Sequence, residues 1–297
     1  MEESDVSTNE VAEILKQYAQ QYIIVLHSDA MSYREDYNGE FIIINEIEYD
    51  INLIKAVWFR RGLFRIRSES FGNSQLDMYI EENNIILSDY VNYKLMRIKS
   101  IGSPTSLNVN KLIVNKIAEE CGLTIPEFML STNFENLSEI QYKKYITKGI
   151  NGNTHIATTS QRIILPVAEL ESNVSGSLSL IQKYIEKKYE LRIFYLAGKC
   201  WTMAIFSQND DKTKIDYRNY NKEKPNRTIP YFLPENISSK LVTMMTKLNL
   251  NSGSIDMIVT PDDQFVFLEV NPVGQFGMVS KPCNYNLEYE IAAYLMK

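Results

Sequence analysis

Apolar and polar positions along the chain alternate with two periods, and the elements change where the period changes. "YIIVLHS" (22–28) is an apolar run that predicts a strand. "EFIIINEIEYD" (40–50) predicts a strand ending in a turn, and "AVWFRRG" (56–62) a further strand closing at Gly62. "SYREDYN" and "SESFGNSQ" fall between them as connecting loops. "SQLDMYIEENNIILSDYVNYKLMRI" spaces its apolar residues as a helix does. Residues 1–105 therefore predict a small α/β unit, and the turn-rich "SIGSPTSLN" (100–108) marks its boundary.

A helix follows, with Leu112, Ile113, Ile117 and Ala118 on one side, ended by Gly122, and a short strand lies beyond Pro126. "SLIQKYIEKKYELRIFYLAGKCWTMAIFSQ" predicts a strand, a linker and a hairpin turning at Ala197-Gly198. Residues 207–235 are polar, charged and Pro-containing, which predicts a long loop or excursion. The helix "SSKLVTMMTKLNL", the strands "SGSIDMIVT" and "QFVFLEVN" about the turn "PDDQ", and a last helix complete the chain. The expected division is 1–105, 106–185 and 186–297.

Composition narrows the function classes. The 297 residues carry 44% hydrophobic and 23% charged positions, ordinary for a globular protein. A net charge of −6 disfavours a nucleic-acid partner held by phosphate attraction. No run reaches the length of a membrane span. The acidic start lacks the basic and apolar regions of a secretory signal. The 3 cysteines lack metal-ligand spacing and read as reduced thiols, so a cytoplasmic location is expected. With 2 histidines, a His-rich metal site is excluded.

The chemistry concentrates in "FVFLEVNPVGQFGM" (265–278). In a regular strand, Glu269 and Asn271 project together while Leu268 and Val270 face the packing side. The short turn 261–264 folds Asp256 back towards Glu269. Asp256, Glu269 and Asn271 then form a three-oxygen cluster that suits Mg²⁺. The plainer alternative has Asp256 capping a turn and Glu269 on a solvated face. Lys148, ahead of the glycine-containing "GINGN", suits a phosphate, although such lysines also flank ordinary hairpin turns. Lys111 opens its helix, where a solvated lysine is the ordinary reading. Gln182, Lys183, Tyr184 and Ile185 look like an exposed backbone edge able to offer an adenine ring one donor and one acceptor. Glu190 and Arg192 alternate onto one face of the next strand.

In this order the pieces resemble the ATP-grasp superfamily over residues 100–297, with a pre-grasp α/β domain before it. "VWFRRG" (57–62), "IDYRNY" (215–220) and "FLEVNPVGQF" resemble the graspetide ligases, the microviridin-type and grasp-with-spasm peptide maturases. The resemblance implies an ATP-grasp α/β (α+β) fold and ATP and Mg²⁺ as cofactors. It also implies a precursor peptide of leader plus core as partner, and a homodimer. By the same resemblance Lys111 and Lys148 contact phosphates, Gln182 to Ile185 hold adenine, and Glu190 binds ribose. Asp256, Glu269 and Asn271 hold metal, and Arg192 and Arg218 neutralise charge on the phosphoryl group. A surface ion pair is the alternative for each arginine.

The activity so implied is ATP-dependent closure of side-chain ester or amide rings through an acyl phosphate. No general base is identified. Arg60 and Arg61, if in a strand, point to opposite faces, one expected towards the peptide cleft and the other in a structural pair. Asp210 and Asp211, with Asp216, are expected to attract a basic leader to the 207–235 excursion. The competing readings are a ligase acting on a small molecule or protein tail, and a nucleotide-binding protein without catalysis.

Overall fold

The computed structural model describes residues 5–106, 109–131, 145–148, 155–157, 162–164, 168–169, 179–208, 223 and 225–297. Helix α1 (Val6–Gln17) precedes a meander of β1 (Met31–Asp36), β2 (Gly39–Ile44) and β3 (Ile47–Asp50). β4 (Ala56–Trp58) is joined through the long helix α2 (Ser74–Arg97) to β5 (Lys99–Ile101), and the two strands pair in parallel. Ile42, Ile44, Phe59, Phe64, Val91 and Leu95 form the core of this unit.

Several local expectations change here. Residues 22–28 form no strand: the run is apolar, but Tyr22 and Ile23 are exposed. The polar stretch expected as a loop is instead β1, whose Arg34 pairs with Asp36 and with Glu48 of β3. The single strand expected over 40–50 is a hairpin, because Asn45 and Glu46 both adopt positive φ and turn the chain in two residues. The strand expected to close at Gly62 stops at Trp58.

Helix α3 (Lys111–Glu120) is capped by the Asn110 side chain and released at Gly122, whose φ is +77°. Its buried residues are Val114, Asn115 and Ala118, while Ile113 is exposed, so the apolar face lies one position from the expected one. Then come β6 (Phe128–Ser131), β7 (Tyr145–Lys148), β8 (His155–Ala157), β9 (Arg162–Ile164), β10 (Ala168–Glu169) and β11 (Ser179–Lys183). Four of these make an antiparallel sheet in the order β10-β7-β11-β6, and β8 pairs with β9.

The largest sheet is antiparallel in the order β14-β13-β12-β15-β16. Its strands are β12 (Tyr189–Leu196), β13 (Lys199–Phe206), β14 (Arg227–Tyr231), β15 (Ser252–Val259) and β16 (Phe265–Asn271). Ala197 and Gly198, at φ 46° and 91°, make the expected two-residue turn between β12 and β13. β14 lies inside the stretch expected to be loop; its Pro230 is tolerated because the strand is on the sheet edge. One face packs on α3 and on α4 (Glu235–Lys247), with Leu241, Met244 and Met245 fully buried. The other face packs on α5 (Gly277–Cys283) and α6 (Leu287–Met296), and α1 joins that layer rather than the core of its own N-terminal unit. Among the described residues, no helix is long and apolar enough to cross a membrane.

Candidate active site

Asp256 sits opposite Arg192 of β12 on one side and opposite Glu269 of β16 on the other. The hairpin predicted from the short turn is thus formed in the predicted register. Between Asp256 and Met257 the register slips by one, so that Met257 pairs with Phe267 and Leu268 is the additional residue of a β-bulge. Phe267 and Val270, three positions apart, both enter the α3–α4 core. Leu268 is only partly buried and does not belong to that core, contrary to the regular alternation expected of the strand. The bulge has a chemical consequence. It turns Glu269 and Asn271 away from the core and onto the face that carries Asp256 and Arg192.

Each carboxylate there meets a cation. Arg192 donates through Nη1 to both oxygens of Asp256, at 2.7 and 2.6 Å, with both residues buried. Lys111 at the start of α3 donates to Glu269 Oε2 at 2.7 Å, although 158 positions separate the two. Asn271 Oδ1 accepts from the Val273 N–H at 3.0 Å, which fixes the amide oxygen and leaves its second lone pair for a ligand. Among the described residues, no three of His, Cys, Asp and Glu gather into a metal cage. The candidate donors are two carboxylates and one amide, all hard oxygens, which fit Mg²⁺ with the remaining positions left to water and phosphate. Arg192 and Lys111 balance the negative charge that would otherwise force the acids apart.

Glu190 lies on the same face as Arg192, two residues before it on β12. It is 5% exposed and accepts from Lys187 Nζ and from Ser207 Oγ, each at 2.5 Å. Burial raises its pKa, and the ammonium of Lys187 opposes the rise. Lys187 and Ser207 were not foreseen. A lysine three residues before the glutamate was a visible signal in "KKYELR", but strand spacing would have sent it to the other face, and residues 184–187 run outside any strand.

The expected adenine edge is changed at its first residue. Gln182 is 1% exposed and pairs with Phe128 on one side and Ile146 on the other, because β11 is an inner strand. The Lys183 N–H is also committed, to the Glu127 carbonyl at 2.8 Å. The chain leaves the strand beyond Lys183, and Tyr184 and Ile185 follow it outside any strand. Lys148 ends β7 opposite Leu180. Arg218, Asp210 and Asp211 lie outside the described residues.

Arg60 and Arg61 do not part to opposite faces, since β4 has ended before them. Their Nε atoms lie 3.3 and 3.4 Å from the same Asp5 Oδ2. Arg60 is buried and donates through Nη1 to the carbonyls of Val273 and Gly274, at 2.6 and 3.3 Å; Arg61 keeps its side chain 35% exposed. Gly274 lies so close to β15 that a Cβ there would sit 2.0 Å from Ser254 Oγ and 2.6 Å from the Ser254 nitrogen. The loop after β16 thus passes in close contact with β15 at Ser254.

Solved structures share this architecture over nearly their whole length. The macrocyclase MdnC of Microcystis aeruginosa MRC, bound with precursor peptide MdnA, superposes with a TM-score of 0.79 over 100% of this chain and 97% of its own, at 22% identity. A RiPP-associated ATP-grasp ligase of Chryseobacterium gregarium, in complex with ADP and a leader and core peptide, gives 0.80 over 99% and 93%, at 20% identity. The ATP-grasp ligase PsnB, complexed with a phosphomimetic precursor variant, Mg and ADP, gives 0.71 over 99% and 95%, at 13% identity. The chain has the ATP-grasp fold. No protein-family model and no curated protein matches the sequence. At these identities the superpositions establish the architecture, and the chemistry must come from the residues.

Proposed function

We propose that this protein is an ATP-dependent carboxylate ligase that closes side-chain ester or amide rings in a ribosomally made precursor peptide. The observation that carries the reading is the Asp256–Glu269 pair, aimed by the bulge at Leu268 and charge-balanced by Arg192 and Lys111. Phosphoryl transfer needs positioned charge more than a protein nucleophile, and this face supplies charge without one. Of the solved structures above, the macrocyclase is bound with a precursor peptide, and the two ATP-grasp ligases carry ADP together with a leader and core peptide or a precursor variant, which supports the choice of substrate class.

In the proposed reaction a side-chain carboxylate of the peptide attacks the γ-phosphorus of ATP, giving an acyl phosphate and ADP. A hydroxyl or amine of the same peptide then adds to the acyl carbon and expels phosphate, forming the ester or amide and releasing one proton. Arg192 and Arg218 offset charge on the transferring group, and Lys111 and Lys148 orient the phosphates. Tyr184 and Ile185 line the base, and Glu190 lies by the ribose. Asp256, Glu269 and Asn271 would hold Mg²⁺, which when bound would supply positive charge against the phosphates. Arg61 faces the peptide, and the leader docks on the segment containing Asp210 and Asp211. We assign the working form as a homodimer in the cytoplasm.

An isotope experiment tests the reaction class. With oxygen-18 in the side-chain carboxylates of the precursor, the acyl-phosphate route delivers one labelled oxygen to the released phosphate for each ring closed. Unlabelled phosphate with ring closure intact would rule that route out.

A further inference from the structure

The loop that follows β16 has a fastening that the phosphoryl chemistry does not require. Asn271 is held by two bonds within its own turn: the Val273 N–H donates to its side-chain oxygen at 3.0 Å, and the Gly274 N–H to its backbone carbonyl at 3.1 Å. The carbonyls of those same two residues, Val273 and Gly274, are the ones Arg60 takes from the other side. Arg60 belongs to the N-terminal unit, 6% exposed, its guanidinium 5.5 Å from the Phe276 ring and 5.8 Å from that of Trp58. Its Nε faces Asp5, whose own carboxylate caps α1 by accepting from the Thr8 N–H. Burial pushes the Arg60 pKa down, Asp5 opposes this, and Arg61 adds to it. A charged group kept there against desolvation is compensated by a short hydrogen bond to a backbone carbonyl and by the Asp5 pair.

We propose that Arg60 is a positioning residue. By holding the carbonyls of Val273 and Gly274 it fixes the turn that presents the Asn271 amide oxygen, so the N-terminal unit sets the geometry of the metal face. This rests on the metal role of Asp256, Glu269 and Asn271 proposed above. On this proposal Arg60 acts through the loop rather than on nucleotide or peptide. Both carbonyls accept from the single Nη1, a contact that a lysine ammonium can reproduce in part, without the Nε that faces Asp5.

The test is calorimetric binding of ADP to the full chain, first in EDTA and then in saturating Mg²⁺, with thermal unfolding recorded alongside. For Arg60→Gln, ADP affinity in EDTA should stay within about twofold of wild type. The tightening produced by Mg²⁺ should fall by about tenfold or more, about 1.4 kcal/mol. Arg60→Lys should recover part of that tightening, and it carries the test alone if Arg60→Gln does not fold. A fold-supporting arginine would lower the unfolding temperature and leave the Mg²⁺ effect as in wild type, and that result overturns the proposal. If wild-type ADP binding is indifferent to Mg²⁺, the metal assignment itself fails and the proposal falls with it.

Discussion

Lys111 and Glu269 meet at 2.7 Å across 158 positions of chain, joining the first turn of α3 to the bulged strand that ends the candidate active site. A helix N-terminus already favours negative charge, so the lysine adds positive charge to a site that attracts the Glu269 carboxylate. Glu269→Gln keeps the shape and removes the charge. The variant should unfold within a few degrees of wild type while its peptide-dependent ADP release drops more than tenfold, a loss above about 1.4 kcal/mol. Retention of more than a tenth of the wild-type rate would take Glu269 out of the metal site.

The phase of β16 is directly measurable through packing. Phe267 is fully buried in the α3–α4 core and Val270 nearly so, whereas Leu268 is the additional residue of the bulge. Phe267→Ala should cost about 3–5 kcal/mol in denaturant unfolding, and Leu268→Ala under about 1.5 kcal/mol. A strand without the bulge would reverse that order, since residue 268 would then share the buried face with Val270.

Gly274 is required by contact rather than by backbone angle. An alanine methyl would overlap both the hydroxyl and the backbone nitrogen of Ser254. Gly274→Ala should therefore destabilise by about 2–3 kcal/mol and weaken the Mg²⁺-dependent part of nucleotide binding. Adding Ser254→Ala should not restore either, because the 2.6 Å clash with the Ser254 nitrogen remains. Rescue by the double variant would mean that the hydroxyl alone sets the approach.

Glu190 makes a pH prediction with a definite sign. Its pKa is raised above 4.5 in the folded protein, chiefly by burial, so the folded state binds the proton more tightly than the unfolded chain does. The group's contribution to stability is fully present below 4.5 and is lost as pH rises through the folded value. Relative to Glu190→Gln, wild-type stability measured by denaturant unfolding should decline as pH is raised through that window. A difference that grows with pH would show that Lys187 and Ser207 outweigh burial.

Much of the candidate site was legible in the sequence because it depends on local rules. The turn at 261–264 is short enough to force Asp256 against Glu269, and period-two spacing puts Glu190 and Arg192 on one face. What escaped was set by tertiary contacts. An apolar run at 22–28 forms no strand, while the polar β1 pairs along its length with the apolar β2 and reaches β3 through the Arg34–Glu48 ion pair. The bulge at Leu268 arises from the competing demands of Phe267 and Val270 for the same core, which no single-strand periodicity reveals. The Arg60 bonds span more than 200 positions and depend on β4 ending at Trp58, four residues before the Gly62 that its composition suggests.

The central claim is that this face makes covalent rings in a peptide, and mass spectrometry of the product tests it most directly. A precursor with its leader attached, incubated with the protein, ATP and Mg²⁺, should lose one water mass for each ring formed. It should stay unchanged when ATP is withheld or when Glu269→Gln replaces the wild type. ATP turned over with the precursor's mass unaltered, or water lost equally with Glu269→Gln, would contradict the account.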